Sequence, residues 1–411
     1  MTDFIVGSVA REQDFLFRKE FIKRLWDSIK KHNVLLIAPR RIGKTSAMYR
    51  MLDNPKDNWL VIHFNVEQLQ TPEDFFITLV DAIHEHQPAY LKDTVAKSWD
   101  YLTGIFSRIE KIEVFSELKI GLRKSEDLKK NWEERANQLM DRVFASGEKV
   151  LFIIDEFPDM LNGILGNSPE AFETFLHWFR IIREKSLNYG IRWLIGGSVN
   201  LIVSLDKVGK VKLVNDLKPE ILLPFSPDEV REFVTRMFKK NRVLFDDSVI
   251  PRILELLGSP IPYFLQMFTQ ELYRKWKRNR TEPLSAGTVT EVFNKVLLGE
   301  MARDKLLHYR SRIDTYYVPE EREAARYLLN KLSLSENGIS RNTLFNLYRE
   351  VEERKSGGRT GTILNQSFQN LLLYLQSDFY IEEIRDGHYD FTSRLLKTWW
   401  RKYFGYELGG D

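Results

Sequence analysis

The chain has 411 residues, 43% of them hydrophobic, with 61 basic and 58 acidic side chains and a net charge of +3. That length supports two or three domains with real cores, and the near balance of charge excludes a strongly basic nucleic-acid coat, though not a local patch. There is no cysteine, which excludes disulfides, thiolate chemistry and cysteine metal sites, and the seven histidines show no ligand spacing. No apolar run reaches the roughly 18 residues of a membrane span. The opening Met1-Thr-Asp-Phe-Ile-Val lacks a secretory pattern, so a cytoplasmic protein without membrane partners is expected.

In chain order, Asp14 to about Lys31 reads as a helix, either packed beside a nucleotide or simply amphipathic. Val34 to Ile37 reads as a buried parallel strand, followed by a turn containing Pro39 and Gly43. Gly43-Lys44-Thr45 then opens a helix through Ser46 to Leu52. Strand, loop and helix together make a phosphate loop, in which successive backbone N–H groups and a helix N-terminus converge on a triphosphate. Gly43 lets the backbone approach closely, Lys44 reaches the β- and γ-phosphates, and the Thr45 hydroxyl binds Mg²⁺. Pro39, Arg40, Arg41, Ile42 and Ser46 complete the expected cradle. The pattern departs from GxxxxGK(S/T) at its first position, where Ala38 replaces Gly, and a locally altered loop is expected there.

Trp59 to Phe64 is the next strand, and a helix follows with Thr71 as its N-cap. Ile109 to Arg123 alternates weakly, as an inserted hairpin would, and Asp127 to Ser146 is a charged helix. Lys149-Val-Leu-Phe-Ile-Ile-Asp-Glu-Phe157 is a second buried strand ending in two acids. Ligands of α/β sheets bind at such carboxyl ends. Asp155 is placed to hold Mg²⁺ and Glu156 to orient and deprotonate a water.

Pro169 to Glu184 is an aromatic-rich helix read as core, with Arg180 and Arg183 read as surface residues rather than contacts to a second copy. Ile191 to Ser198 is a strand whose final Ser198 either senses the γ-phosphate or is a turn residue; Asn200 is the weaker candidate. Glu220 to Phe225 is the last expected strand, and Ser226 caps a helix from Pro227 to Lys240. The alternation defines an α/β P-loop domain with a mostly parallel sheet over 1–225.

Helices dominate 226–303, with a rigid corner at Gly258-Ser-Pro-Ile-Pro262. Residues 304 to 319 read as a linker or linking helix. Within 304–411, helices at 320–331, 340–353 and 362–376 precede short strands at 379–383 and 388–391, joined by Arg385-Asp-Gly387, and a final helix at 395–404. Three helices and a hairpin make a winged helix-turn-helix.

Ala-Pro-Arg-Arg-Ile-Gly-Lys-Thr at 38–45, Ile-Ile-Asp-Glu-Phe-Pro at 153–158, the Gly-Gly-Ser turn at 196–198 and Pro-Tyr-Phe-Leu at 262–265 resemble the AAA-like ATPases of the STAND group. The archaeal-type ATPases are the nearest kin and the Cdc6/Orc1 initiators more distant. The resemblance covers almost the whole chain as nucleotide domain, helical lid and winged helix. It implies ATP or ADP held by Lys44 and Thr45, Mg²⁺ and hydrolysis at Asp155 and Glu156, and a lid that moves against the core. It also implies a proline, Pro262 more than Pro260, that reads the bound nucleotide. The segment 201–219 contains Lys207, Lys210, Lys212 and Lys218 but no Arg, and an arginine is also missing at the lid corner. Both departures weigh against a processive hexameric motor.

Two functions follow. The first is a slow nucleotide-dependent switch with a protein partner and oligomers on activation. The alternative is a DNA-handling ATPase, an initiator or transposition helper, whose winged helix grips duplex. The third helix of that unit offers Asn365, Gln366 and Gln369 but no Lys or Arg, leaving Arg354, Lys355, Arg359 and Arg385 as the phosphate contacts. A non-hydrolysing nucleotide module is disfavoured by the intact Glu156.

Overall fold

A computed structural model describes residues 18–85, 126–197, 201–355 and 357–406. The start of the first helix, the hairpin expected at 109–123, Ser198, Asn200 and Ser356 lie outside the described residues. The chain divides into two compact units, with the cut after Leu222.

The first unit contains α1 (Lys19–Ile29), β1 (Val34–Ile37), α2 (Lys44–Asp53), β2 (Leu60–Asn65), α3 (Pro72–Glu85) and α4 (Glu126–Ala145). It continues with β3 (Val150–Asp155), α5 (Phe157–Asn167), α6 (Pro169–Ser186), β4 (Ile191–Gly197), α7 (Leu201–Lys207) and β5 (Lys218–Ile221). Its sheet runs β2-β3-β4-β1-β5, parallel throughout. Every residue of β3 is buried, as expected for a strand covered on both faces. Phe152 stacks on Trp193 of β4 at 4.5 Å, and Phe75, Phe157, Phe175 and Phe179 continue the core. The aromatics of α6 are therefore core, as the sequence suggested. Thr71 caps α3, its Oγ1 accepting from the Asp74 amide at 3.2 Å.

The last strand lies earlier than expected, at Lys218–Ile221 rather than from Glu220 to Phe225. Among the described residues its one neighbour is β1, whose four residues pair with Lys218 to Ile221 in order. Beyond Ile37 the backbone leaves the sheet for the phosphate loop, so Leu222 makes one last bond to the Ile37 carbonyl. Pro219 is tolerated because β5 is an edge. Helix α5 had no distinct signal, because its residues continue the apolar run of β3 after a single turn residue, Glu156.

The second unit opens with α8 (Pro227–Lys240), whose Ser226 and Glu229 form a reciprocal capping box. It continues through α9 (Val249–Leu257), α10 (Pro262–Arg278), α11 (Ala286–Val292) and α12 (Glu300–Tyr316). The stretch read as a linker or linking helix is thus a continuous helix, α12, and it runs through residues 303 and 304. Then come α13 (Pro319–Leu334), β6 (Ile339–Ser340), α14 (Arg341–Glu353), α15 (Gly361–Ser377), β7 (Ile381–Arg385), β8 (His388–Phe391) and α16 (Arg394–Phe404). Strands β6, β8 and β7 form an antiparallel sheet. Strand β7 starts two residues later than expected because Phe379 has a left-handed backbone, φ +58, which a strand does not accept. Strand β6 is two residues long, too short to leave a periodic trace. Trp399 and Trp400 of α16 are buried, and the Trp400 indole donates to Asn330 Oδ1 at 2.8 Å.

Candidate nucleotide site at the carboxyl edge of the sheet

The loop between β1 and α2 carries two left-handed residues, Arg41 at φ +64 and Gly43 at φ +96. Gly43 adopts that conformation freely, whereas Arg41 is strained. Ala38, where an altered loop was expected, is not left-handed. The reversal of the chain falls three residues later, on Arg41.

Helix α2 starts at Lys44, and β3 ends at Asp155, which places both motifs at one end of the sheet. Lys44 Nζ lies 2.9 Å from Asp155 Oδ1 and 3.1 Å from Glu156 Oε1. The Thr45 hydroxyl donates to Asp155 Oδ2 at 2.7 Å. The Glu156 amide donates to Asp155 Oδ1 at 3.0 Å. The Lys44, Asp155 and Glu156 side chains are 7%, 1% and 19% exposed. Four residues read from two distant motifs are thereby one cluster.

The two carboxyls are driven apart by their surroundings. Burial opposes ionisation of Asp155, but the Lys44 charge and the hydrogen bonds from Lys44 and Thr45 outweigh it. Its pKa is held below the ordinary aspartate value. Burial raises the pKa of Glu156, the neighbouring Asp155 charge adds to the rise, and Lys44 only partly opposes it. One acid is kept ionised, suited to a metal, and the other is poised to accept a proton. Glu156 also sits at φ +58, a strained backbone at the N-terminus of α5.

The hard oxygens of Thr45 and Asp155 fit Mg²⁺, which binds through one or two protein groups and otherwise through water and phosphate. Among the described residues no cage of three or more His, Asp or Glu side chains exists.

Sequence reasoning missed Gly196. A Cβ there would stand 2.0 Å from Met48 Cε of α2 and 3.4 Å from Asp155 Oδ1. Its bare backbone leaves room for the end of the Met48 side chain, which α2 packs against the strand between β1 and β3. The signal is the Gly-Gly pair at the end of an otherwise bulky strand, where a bare backbone marks a close approach. His63 was also missed. Its imidazole makes a minor electrostatic contribution to the lowered Asp155 pKa, and its ring lies 4.6 Å from that of Tyr49.

Arg183 is not a surface residue. It is fully buried, gripping Asp216 at 2.7 and 2.9 Å and the Leu213 carbonyl at 2.7 Å, with its guanidinium 4.7 Å from the Phe179 ring centre. The burial follows because the 211–217 segment folds over α6 and offers a carboxylate and a carbonyl to satisfy the charge. Arg180 is half-buried and bound to Glu184 and the Lys212 carbonyl. In the second unit, Asn365, Gln366 and Gln369 are exposed on α15. Two of the four cations expected to grip phosphate are engaged by the buried Glu352. Lys355 binds its carboxylate at 2.6 Å, and Arg359 approaches it at 3.8 Å. Arg385 and Arg354 are exposed, the latter over the Tyr327 ring. Pro262 occupies the first turn of α10.

No family model and no curated protein matches the chain. Among solved structures it is similar to the Walker-type ATPase of Pyrococcus abyssi. That likeness covers 97% of this chain and 99% of the other, at a TM-score of 0.64 and 20% identity. It is also similar to the ORC2 protein of Aeropyrum pernix, solved in ADPNP–ADP complexes, over 95% and 92% of the two chains, at a TM-score of 0.53 and 12% identity. At such identities the likeness is one of fold. The fold is that of an AAA-like P-loop NTPase, a parallel α/β core accompanied by helices. Among the described residues no helix is long and apolar enough to cross a membrane.

Proposed function

We propose that this chain is a slow Mg²⁺-dependent ATPase working as a nucleotide-dependent conformational switch of the STAND type. The observation that carries the ATPase part of the reading is the cluster of Lys44, Thr45, Asp155 and Glu156 at the carboxyl end of the sheet, and the switch rests on the resemblance of the sequence motifs. Backbone N–H groups from Pro39 through Ser46, Pro39 excepted because it has none, and the start of α2 receive the phosphates. Lys44 binds the β- and γ-phosphates of ATP. Thr45 and Asp155 hold Mg²⁺, which supplies charge neutralisation of the phosphate oxygens. Glu156 takes a proton from water as its oxygen attacks the γ-phosphorus. The bond from phosphorus to the bridging oxygen breaks, leaving ADP and inorganic phosphate. Ser198 as a γ-phosphate sensor and Pro262 as a reader of the bound nucleotide belong to the same proposal. So do the three-part division at 225/226 and 303/304, a cytoplasmic setting, a protein partner for the winged-helix segment and assembly on activation.

The test is nucleotide binding and turnover by the purified chain. Lys44→Ala should abolish binding of ATP and ADP. Glu156→Gln should bind but not hydrolyse. A chain that binds no nucleotide, or a Glu156→Gln variant with full turnover, would overturn the reading.

The second reading, an ATPase that handles duplex DNA, is favoured by one observation. Asn365, Gln366 and Gln369 are exposed on the third helix before a hairpin, the position of a reading helix. Against it, the Glu352 carboxylate binds Lys355 and lies beside Arg359, offsetting one of their two charges. Duplex affinity that falls steeply with salt would favour this reading, and no binding would favour the switch.

A further inference from the structure

A transferring phosphoryl group spreads negative charge over its oxygens, and P-loop enzymes meet that charge with an arginine supplied in cis or in trans. In this cluster one cation, Lys44, faces two carboxylates, Asp155 and Glu156. Lys44 and a dication therefore have to offset those carboxylates as well as the phosphates. The need for a further positive charge is acute.

Four arginines of the first unit are committed elsewhere. Arg183 is sealed against Asp216, Arg180 binds Glu184 and the Lys212 carbonyl, and Arg24 binds Glu220. Arg192 donates to the carbonyls of Leu187 and Ile191. Arg40 differs. It lies inside the phosphate loop, four residues before Lys44, and is half-buried. Its Nε is shut off from water and donates to no acceptor among the described residues. A buried guanidinium N–H without an acceptor is costly, and an oxyanion satisfies it well. Its backbone is restrained on both sides, by the locked φ of Pro39 and by the left-handed turn at Arg41. That restraint fixes where the Arg40 side chain leaves the loop that receives the phosphates.

We propose that Arg40 is a catalytic residue, the cis-acting cation that stabilises the transferring phosphoryl group. This rests on the ATPase reading and assigns that reaction a residue in place of an arginine from a second copy. Arg40 gains and loses no proton. Its guanidinium donates to oxygens whose charge grows as the bridging bond breaks.

The test measures affinity for Mg·ADP alone and for Mg·ADP with aluminium fluoride, which mimics the phosphoryl group in flight. Wild type, Arg40→Gln and Arg40→Lys are compared, with thermal melting to confirm that each folds. Arg40→Gln should bind Mg·ADP within about twofold of wild type. It should lose most of the tightening that aluminium fluoride gives, with turnover down about 100-fold and KM little changed. Arg40→Lys should recover part of both, since it keeps the charge without the planar fork. Full tightening in Arg40→Gln would overturn the assignment while leaving the ATPase reading intact. A wild-type chain that binds no Mg·ADP would overturn both. Turnover that rises steeply with protein concentration in Arg40→Gln, as in wild type, would point to an arginine from a second copy and also overturn it.

Discussion

Lys44 Nζ stands 3.1 Å from Glu156 Oε1, so the cation that should hold phosphate is bound to the group that should activate water. Nucleotide phosphates have to compete with Glu156 for this lysine. On the proposed reading, binding frees the carboxylate at the moment a substrate is present.

Neutralising Glu156 should therefore raise affinity for nucleotide. Glu156→Gln is expected to bind Mg·ADP about three- to tenfold more tightly than wild type, the worth of one charge-assisted hydrogen bond partly open to water. ADP is the ligand of choice because no hydrolysis step can trap it. Calorimetric titration giving equal or weaker affinity in the variant would remove the competition.

The opposed pKa shifts set a pH dependence. Glu156 is raised above 4.5, and it must be ionised to accept a proton. The acid limb of kcat/KM for ATP should have its midpoint above the ordinary glutamate value, and turnover should fall as the pH drops through it. Asp155 acts with the opposite sign on stability. Its folded pKa lies below 3.8, so its contribution is full above 3.8 and is lost as the pH falls through the folded value. Glu156, with a raised pKa, favours the fold below 4.5 and loses that contribution as the pH rises through its folded value. Denaturant melts from pH 3 to 7 on wild type and Glu156→Gln separate the two.

The glycine pair at the end of β4 should not accept side chains. A Cβ on Gly197 would lie 2.3 Å from Pro158 Cγ, against a ring fixed in the first turn of α5. On Gly196 it would meet the flexible end of Met48. Gly197→Ala is expected to destabilise by about 2 kcal/mol and Gly196→Ala by less, because Met48 can turn away. Urea unfolding of the two variants should show that order.

Arg183 gives the sharpest contrast with its sequence-based reading as a surface residue. Replacing a surface arginine changes stability by about 0.5 kcal/mol or less. Arg183→Ala leaves Asp216 and the Leu213 carbonyl without their cation inside the core unit, and a loss of about 3 kcal/mol is expected. Chemical denaturation decides between the two values.

Much of the fold was legible where the signal is local. Val34–Ile37 and Val150–Asp155 read as buried strands because their apolar runs end at polar turns, and Ser226 with Glu229 marks a helix start on its own. The cluster of Lys44, Thr45, Asp155 and Glu156 was legible because each sits at the end of an apolar strand or the start of a helix, in two recognisable motifs. What escaped depends on distant partners. Strand β5 is positioned by the length of β1, β7 by the left-handed Phe379, and Arg183 is buried only because 211–217 folds over it. The strain at Arg41, rather than at Ala38, belongs to the path of the loop and has no marker in composition.

The most direct measurement is steady-state ATP hydrolysis by the purified chain, with and without duplex DNA, beside Glu156→Gln. The account predicts slow turnover that is absent in the variant, unmoved by duplex, and accompanied by nucleotide retained through purification. Turnover that survives in Glu156→Gln would contradict the site, and a several-fold rise with duplex would contradict the switch.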